Sequence, residues 1–147
     1  MENKVHHIHM PQHQFHKRMQ PVYKKPIDPS KLPIEIEHTY RNNSSNRYAK
    51  IKIRIEEEIA EEIIGTYNPE FSYSWMVEDH QIPSAFKADI SKALEDFCLV
   101  YSLTRSDTML LRFSIIDGNF HPVESCGIGF TICIFGALEK AFNTLHE

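Results

Sequence analysis

Hydrophobic and polar residues alternate most regularly in the middle of the chain, from residue 48 to residue 55. Three isoleucines there alternate with Lys50, Lys52 and Arg54. Because side chains of a strand point alternately to the two faces of a sheet, the pattern predicts a strand with one apolar and one basic face. The basic face is either a solvated surface neutralised by acidic residues of a neighbouring strand or a row of cations that follows a phosphate backbone.

Two other alternating segments predict further strands. Residues 32–40 alternate apolar and charged positions, as expected of an edge strand, and lead into a polar loop from Asn42 to Arg47 whose residues favour turns. From Phe71 to Val77, aromatic residues alternate with serines. An aromatic face of this kind can stack on nucleic-acid bases, but it more often belongs to a hydrophobic core.

The last third of the chain predicts a strand, a turn and a helix. β-Branched and aromatic residues from Met109 to Ile116 indicate the strand, and Asp117-Gly118 indicates a tight turn because glycine accepts positive φ at no steric cost. A short return strand carrying His121 follows, so this histidine is expected beside a loop and directed outward. Apolar residues then recur every three or four positions, which predicts a helix.

A second helix is predicted between the strands. Pro83 suits a first helical turn, and apolar residues recur at helical spacing from Phe86 to Tyr101. The last helix is expected to use Ser125 as its cap, and its first turn lacks an acidic residue. These elements make an α+β fold: a two-layer sandwich in which a four-stranded, mixed or antiparallel sheet is covered on one face by two helices.

The first 33 residues differ in character from the rest. They contain His6, His7, His9, His13 and His16 with five prolines and show no hydrophobic periodicity. Such a segment buries too little apolar surface to offset its ordering entropy, so residues 1–33 are predicted to be a flexible His/Pro-rich arm and residues 34–147 a folded domain. Solvated histidines are preferred to a metal site because no carboxylate or cysteine completes a ligand geometry. No cofactor or metal is expected.

Charge is unevenly distributed along the 147 residues, whose formal net charge is -4. Residues 1–37 hold six Lys or Arg and four Asp or Glu. Residues 38–147 hold ten Lys or Arg and sixteen Asp or Glu. The folded part is therefore acidic, which argues against strong nonspecific affinity for nucleic acid. Any RNA contact has to be local, and the basic residues of the arm are a weaker alternative for holding rRNA or a partner protein.

Cysteine usage and hydropathy indicate the compartment. Cys98, Cys126 and Cys133 have no metal-ligand spacing and leave one thiol over, which suits a reducing environment. No apolar run approaches membrane-spanning length, and the amino terminus is polar instead of resembling a signal segment. A cytoplasmic protein is expected.

Three sequence blocks carry a resemblance to a known family, and the last block consists of two segments. Residues 116–125 read Ile-Asp-Gly-Asn-Phe-His-Pro-Val-Glu-Ser, and residues 136–142 read Gly-Ala-Leu-Glu-Lys-Ala-Phe. With Arg-Tyr-Ala-Lys-Ile at 47–51 and Gln-Ile-Pro-Ser-Ala-Phe at 81–86, they resemble domain IV of elongation factor G in the same order. The resemblance implies the topology of the second domain of ribosomal protein S5, with a left-handed βαβ crossover.

The resemblance also implies where the chain binds. His121 matches the histidine at the tip of the family's domain, which enters the decoding region of the small ribosomal subunit and helps to move tRNA and mRNA. The Asn42–Arg47 loop stands where the family has a glycine-rich loop, and it carries none of those glycines. The candidate RNA- or ribosome-binding residues are His121, Asn119, Asn43, Ser44, Ser45, Asn46, Arg47, Lys50, Lys52 and Arg54.

Two functions from different classes stay open. The first is a ribosome- or RNA-associated translation-factor-like domain, whose partner would be small-subunit rRNA. The second is a protein-interaction module that kept the fold but lost ribosome binding, with a homodimer through an exposed sheet edge as one form. We prefer the first. An enzyme is the poorest interpretation, because the sequence shows no Gly-x-x-x-x-Gly-Lys-Ser/Thr nucleotide loop, no activated nucleophile and no metal set.

Overall fold

One mixed sheet of four strands organises residues 14–58, 72–104 and 109–147, the parts of the chain that the structure, a computed structural model, describes. The strands are β1 (Ile34–Asn42), β2 (Arg47–Glu57), β3 (Ser72–Trp75) and β4 (Leu111–Asn119), and they lie in the order β1-β2-β4-β3. Neighbours pair antiparallel except β3 and β4, which are parallel. The sheet is therefore mixed, as predicted.

Helices cover one face of this sheet. Residues 14–23 form α1, Lys87–Thr104 form α2 and Gly127–Leu145 form α3; 3-10 turns span Pro29–Lys31 and Ser84–Phe86. On β2, Ile51, Ile53 and Ile55 face the helices and are completely buried, whereas the alternate residues stay partly exposed. The predicted α+β class is confirmed, with one more helix than the sequence indicated.

The additional helix α1 corrects the prediction of a flexible arm over residues 14–33. Phe15, Met19 and Tyr23 recur every fourth residue and are all buried. The Phe15 ring centroid lies 4.9 Å from that of Phe135 on α3, and Tyr23 lies 4.9 Å from Tyr101 on α2. The four-residue spacing of large apolar side chains decides the structure here, despite the density of prolines and histidines. Residues 1–13 lie outside the described residues, so the prediction for them stays a prediction.

The predicted turn at Asp117-Gly118 is wrong, because β4 runs through both residues to Asn119. Lys52 pairs with Asp117 and Ile53 with Ile115, which leaves Ile116 as the extra residue of a β-bulge. Gly118 serves close packing: a Cβ there would collide with the Ile82 side chain and lie 2.8 Å from the Lys50 carbonyl oxygen. The predicted return strand is likewise not formed, and His121 belongs to the loop before α3.

The start of α3 also differs from the prediction. Cys126, not Ser125, occupies the N-cap position, and its side chain makes no capping bond. A Cβ on Gly127 would lie 2.7 Å from both carboxylate oxygens of Asp89, so α2 places an acidic side chain beside this helix start. A negative charge there is favourable for the helix dipole. The acid that the first turn lacks is thus supplied by another helix.

Two smaller predictions concern β3 and α3. Phe71 lies outside the described residues, and the half-buried Tyr73 and Trp75 pack against the core, which confirms the core interpretation of this aromatic strand. Contrary to the hydropathy prediction, α3 is long and apolar enough to cross a membrane by length and composition. In this fold it packs on β1 and β2, and ten of its residues are buried. Its apolar character is thus used in the core.

Candidate nucleic-acid interface

The turn between β1 and β2 presents a short row of polar side chains. The Asn42 carboxamide oxygen accepts hydrogen bonds from the Ser44 backbone N–H at 3.1 Å, the Ser44 hydroxyl at 2.8 Å and the Ser45 N–H at 3.3 Å. Asn46 adopts a φ of 51°, a left-handed conformation that asparagine tolerates well. Asn43, Ser44, Ser45 and Asn46 are all exposed, so the loop predicted from sequence is a hydrogen-bonded turn that faces solvent.

The loop between β4 and α3 holds His121 by hydrogen bonds to both its backbone and its ring. The Ser125 hydroxyl oxygen accepts a hydrogen bond from the His121 backbone N–H at 2.8 Å. The Ser125 backbone N–H donates to the His121 carbonyl oxygen at 3.0 Å. The imidazole Nδ1 accepts the N–H groups of Val123 and Glu124, each at 3.2 Å. The side chain remains 47% exposed, so His121 is directed outward as predicted.

These hydrogen bonds decide which nitrogen of the neutral His121 ring carries the proton. An Nδ1 that accepts two N–H bonds has no hydrogen, so the proton lies on Nε2. A backbone-held ring of this kind presents a fixed N–H donor at the protein surface. Such a donor is suited to a phosphate oxygen or to an acceptor on a base edge.

Tyr48 at the start of β2 joins the two loops. Its backbone N–H donates to the Glu124 carbonyl at 3.1 Å, and its carbonyl accepts the Ser125 hydroxyl at 2.8 Å. The phenol oxygen accepts a bond from the Asn119 carboxamide at 3.4 Å. The hairpin turn (residues 43–46) and the His121 loop (residues 121–125) therefore lie side by side, and we refer to them together as the tip.

A charged contact supports the tip from the β1 side. The Arg41 guanidinium lies over the Tyr48 ring, 4.7 Å from its centroid, and its Nη1 is 3.7 Å from a Glu124 carboxylate oxygen. The same carboxylate oxygen lies 3.7 Å from His121 Nδ1. Glu124 thus partly neutralises Arg41, and the tip offers mainly neutral donors and acceptors.

The basic face of β2 is neutralised by carboxylates. Lys50 Nζ lies 3.2 Å from Glu37 Oε1, and this hydrogen bond raises the pKa of the ammonium. Lys52 Nζ lies 3.6 Å from Glu35 Oε1 on the same neighbouring strand. Arg54 faces Glu56 at 3.9 Å within β2. The structure therefore agrees with the interpretation of a surface neutralised largely by the adjacent strand.

The ten candidate residues fall into two groups. His121, Arg47 and residues 43–46 lie at or next to the tip, and Asn119 borders it through its bond to Tyr48. Lys50 pairs with Asn119 in the sheet and lines a shallow cavity of about 210 Å³ with Asp117 and Glu37. Lys52 and Arg54 follow at two-residue steps of about 7 Å along β2, away from the tip.

Sequence reasoning misses the residues that assemble the tip. The sequence marks Tyr48 only as the start of a strand and Ser125 only as a cap of α3. Val123, a residue that is 85% exposed in the same loop as His121, carries no sequence pattern that singles it out. The usable signal is the clustering of polar residues just beyond the two strand ends, since residues that follow neighbouring strands at one edge of a sheet meet in space.

Comparison with known proteins places these residues in a family context. The family described as "Elongation factor G, domain IV" matches residues 29–144. Elongation factor G of Alteromonas mediterranea is 28% identical over 112 residues, which cover 75% of this chain and 15% of that protein. Elongation factor G 2 of Trichodesmium erythraeum is 26% identical over 124 residues, which cover 84% of this chain and 17% of that protein.

A solved structure shows the same fold. The crystal structure of a protein from Thermus thermophilus matches with a TM-score of 0.59 at 17% identity, and the match covers 84% of this chain and 17% of that one. The predicted resemblance to the second domain of ribosomal protein S5 is therefore confirmed for the sheet and its helices, whereas the handedness of the crossover stays a prediction. This chain spans less than a fifth of the length of each of these relatives.

Proposed function

The chain belongs to the elongation factor G domain IV family, and on that premise we propose that it is a non-catalytic, translation-factor-like domain that binds the ribosome through its tip. The partner is the rRNA of the small subunit, and the place of action is the cytoplasm. The 147 residues contain no GTP-binding loop, so any motion driven by GTP comes from outside them or is absent.

One observation supports this proposal most directly: Tyr48 ties the two loops into a single surface. The bonds from Tyr48 to Glu124 and Ser125 keep the outward Nε2–H of His121 close to the polar turn at residues 43–46. Amide, hydroxyl and imidazole groups held by backbone bonds lose little entropy on binding, which favours recognition of an irregular RNA surface.

The electrostatics of the domain indicate what kind of RNA contact this is. The net charge of -4 and the carboxylate-paired cations of β2 leave little capacity for nonspecific phosphate binding. Affinity that depends on phosphate contacts falls steeply with salt, in proportion to the number of phosphates neutralised. We therefore expect a shallow salt dependence, with Arg47 as the main cation and neutral donors making the other contacts.

A second candidate function is a protein-interaction module that no longer binds ribosomes. The neutralised basic face favours it, because a surface that follows phosphates needs cations that are not already paired. Val123 at the tip also favours it, since an apolar residue with 85% exposure next to Pro122 is a contact point for a protein.

Cosedimentation with purified small ribosomal subunits distinguishes these two functions. The intact chain is expected to pellet with the subunits, and the double variant His121→Ala/Arg47→Ala is expected to pellet at least about tenfold less. Lys92→Ala, which removes an exposed cation from α2, is the matched control and should pellet like the unmodified chain. A chain that stays in the supernatant even at low salt contradicts ribosome binding and favours the interaction module.

A further inference from the structure

Strand β1 forms a long edge of the sheet that no described residue pairs with in strand fashion. It has nine residues, whereas the opposite edge strand β3 has four. A long edge exposes unpaired N–H and C=O groups that are suited to pairing with another strand. The edge lies along the side of the domain, so a role for it goes beyond the proposed function of the tip.

One contact indicates which backbone groups of β1 point away from the sheet. The Glu37 carbonyl accepts a hydrogen bond from the Lys140 ammonium at 3.4 Å, so it is directed away from β2. In an antiparallel pair, alternate residues direct both backbone groups to the same side. Residues 35, 37, 39 and 41 therefore present their N–H and C=O groups at the outer edge.

The side chains of β1 are incompletely covered compared with those of its neighbour. On β2, Ile51, Ile53 and Ile55 are fully buried. Ile36 and Tyr40, which lie on the same face of β1, remain partly exposed. Another strand alongside β1 would cover these two side chains, and the apolar area removed from water would favour the pairing.

We propose that β1 pairs antiparallel with β1 of a second copy of this chain, which joins the two sheets into one. A two-fold axis next to His38 pairs all nine residues of each strand. Every hydrogen-bonded pair then joins two residues whose backbone N–H and C=O groups face outward. In this register Glu35 lies opposite Arg41 of the second copy, Glu37 opposite Thr39, and Ile36 opposite Tyr40.

Charge and the number of paired residues together select this register over its neighbours. Moving the axis to residue 37 would place Glu37 opposite Glu37 of the second copy, and directly opposed like charges are destabilising. Moving it to Thr39 would pair fewer residues. The axis at His38 brings the exposed carboxylate of Glu35 next to the exposed guanidinium of Arg41 twice, once on each side. The Lys140 side chain moves off the Glu37 carbonyl when the strands join.

Position 39 tests the proposal because a charge there has opposite effects on the dimer and on the fold. Thr39→Lys would put an ammonium group opposite Glu37 of the second copy and should tighten the dimer, whereas Thr39→Glu should weaken it. Within one chain Thr39 pairs with Lys50, so Thr39→Glu should stabilise the fold and Thr39→Lys should not. We expect changes of about three- to tenfold in the dimer dissociation constant, in opposite directions.

Sedimentation velocity over a concentration series, on the whole chain, provides the measurement. Thr39→Pro removes an outward N–H and should abolish the dimer, whereas Thr39→Ala, which keeps the N–H, should preserve it. Thermal melts of each variant separate loss of fold from loss of pairing. A monomer at every concentration, a dimer unaffected by Thr39→Pro, or weakening by both charged variants overturns the proposed pairing.

Discussion

The His38 ring lies directly against the α-carbon of Gly136, at the place where α3 crosses β1. A Cβ added at Gly136 would lie 2.9 Å from His38 Cε1 and closer still to Nε2. No room exists for a methyl group between helix and strand at this point. The absence of a side chain at Gly136 therefore sets how closely α3 approaches the sheet edge.

Gly136→Ala is expected to destabilise the fold by about 1–3 kcal/mol, because the added methyl group forces α3 or the His38 ring to move. Gly129→Ala is the matched control in the same helix. Its Cβ would meet only ordinary contacts, 3.6 Å from Cys126 Sγ and 4.0 Å from Arg47 Cβ, and alanine favours the helix by up to about 1 kcal/mol. Urea unfolding of both variants checks the prediction. Equal stability of the two would contradict the close approach.

His38 also makes stability depend on pH. Burial, and secondly the positive charge of Lys140, lower the pKa of this ring below its ordinary 6.5. The unfolded chain then binds a proton at His38 more readily than the folded chain. The neutral ring therefore contributes stability above about pH 6.5, and this contribution is lost as the pH falls through the lowered pKa. Wild-type stability should decrease from about pH 7 to pH 5 more steeply than that of His38→Gln. Parallel pH profiles would show that His38 is not responsible.

Ser125 is expected to contribute to the tip instead of to the helix. Ser125→Ala removes the bonds to the His121 N–H and the Tyr48 carbonyl, at a cost of about 1–3 kcal/mol if these groups stay unsatisfied. Hydrogen exchange at residues 121–125 should accelerate while exchange within α3 is unchanged. Ser102→Ala, which removes a hydroxyl bonded to the Leu99 carbonyl, is the control. Faster exchange throughout the first turn of α3 would instead indicate a capping role.

Tyr23 tests whether α1 belongs to the core. Tyr23→Ala should cost about 3–5 kcal/mol, because it leaves a cavity against Phe97 and Tyr101. Lys17→Ala on the exposed side of α1 should be nearly neutral. Urea unfolding of the two variants beside the wild type provides the comparison. If Tyr23→Ala left the free energy of unfolding unchanged, α1 would not belong to the core, and residues 14–33 would be a flexible arm.

Tyr23→Phe should be neutral or stabilising. The Tyr23 hydroxyl is buried without a hydrogen-bond partner among the described residues, and its burial raises the pKa of the phenol strongly. Removing an unsatisfied buried hydroxyl eliminates its desolvation cost while the ring packing is kept. Chemical denaturation of Tyr23→Phe beside the wild type provides the measurement. A clear loss of stability would show that the hydroxyl has a partner.

Local periodicity predicts the strands and two helices well because each is specified by consecutive side chains. The alternation around Ile53 and the helical spacing of Phe97 and Tyr101 each indicate a buried face without knowledge of distant residues. The same reasoning fails for Asp117-Gly118. A glycine suits both a turn and a close approach of two segments, and only the position of Ile82 decides between them.

The amino-acid sequence by itself determined the fold class and the polar turn between β1 and β2. These follow from side-chain patterns within short stretches. Only the tertiary structure decided that Glu35 and Glu37 neutralise the basic face, that α1 joins the core, and that Tyr48 unites two loops. Each of these depends on contacts between residues far apart in the chain, and a pattern of neighbours does not encode such distances.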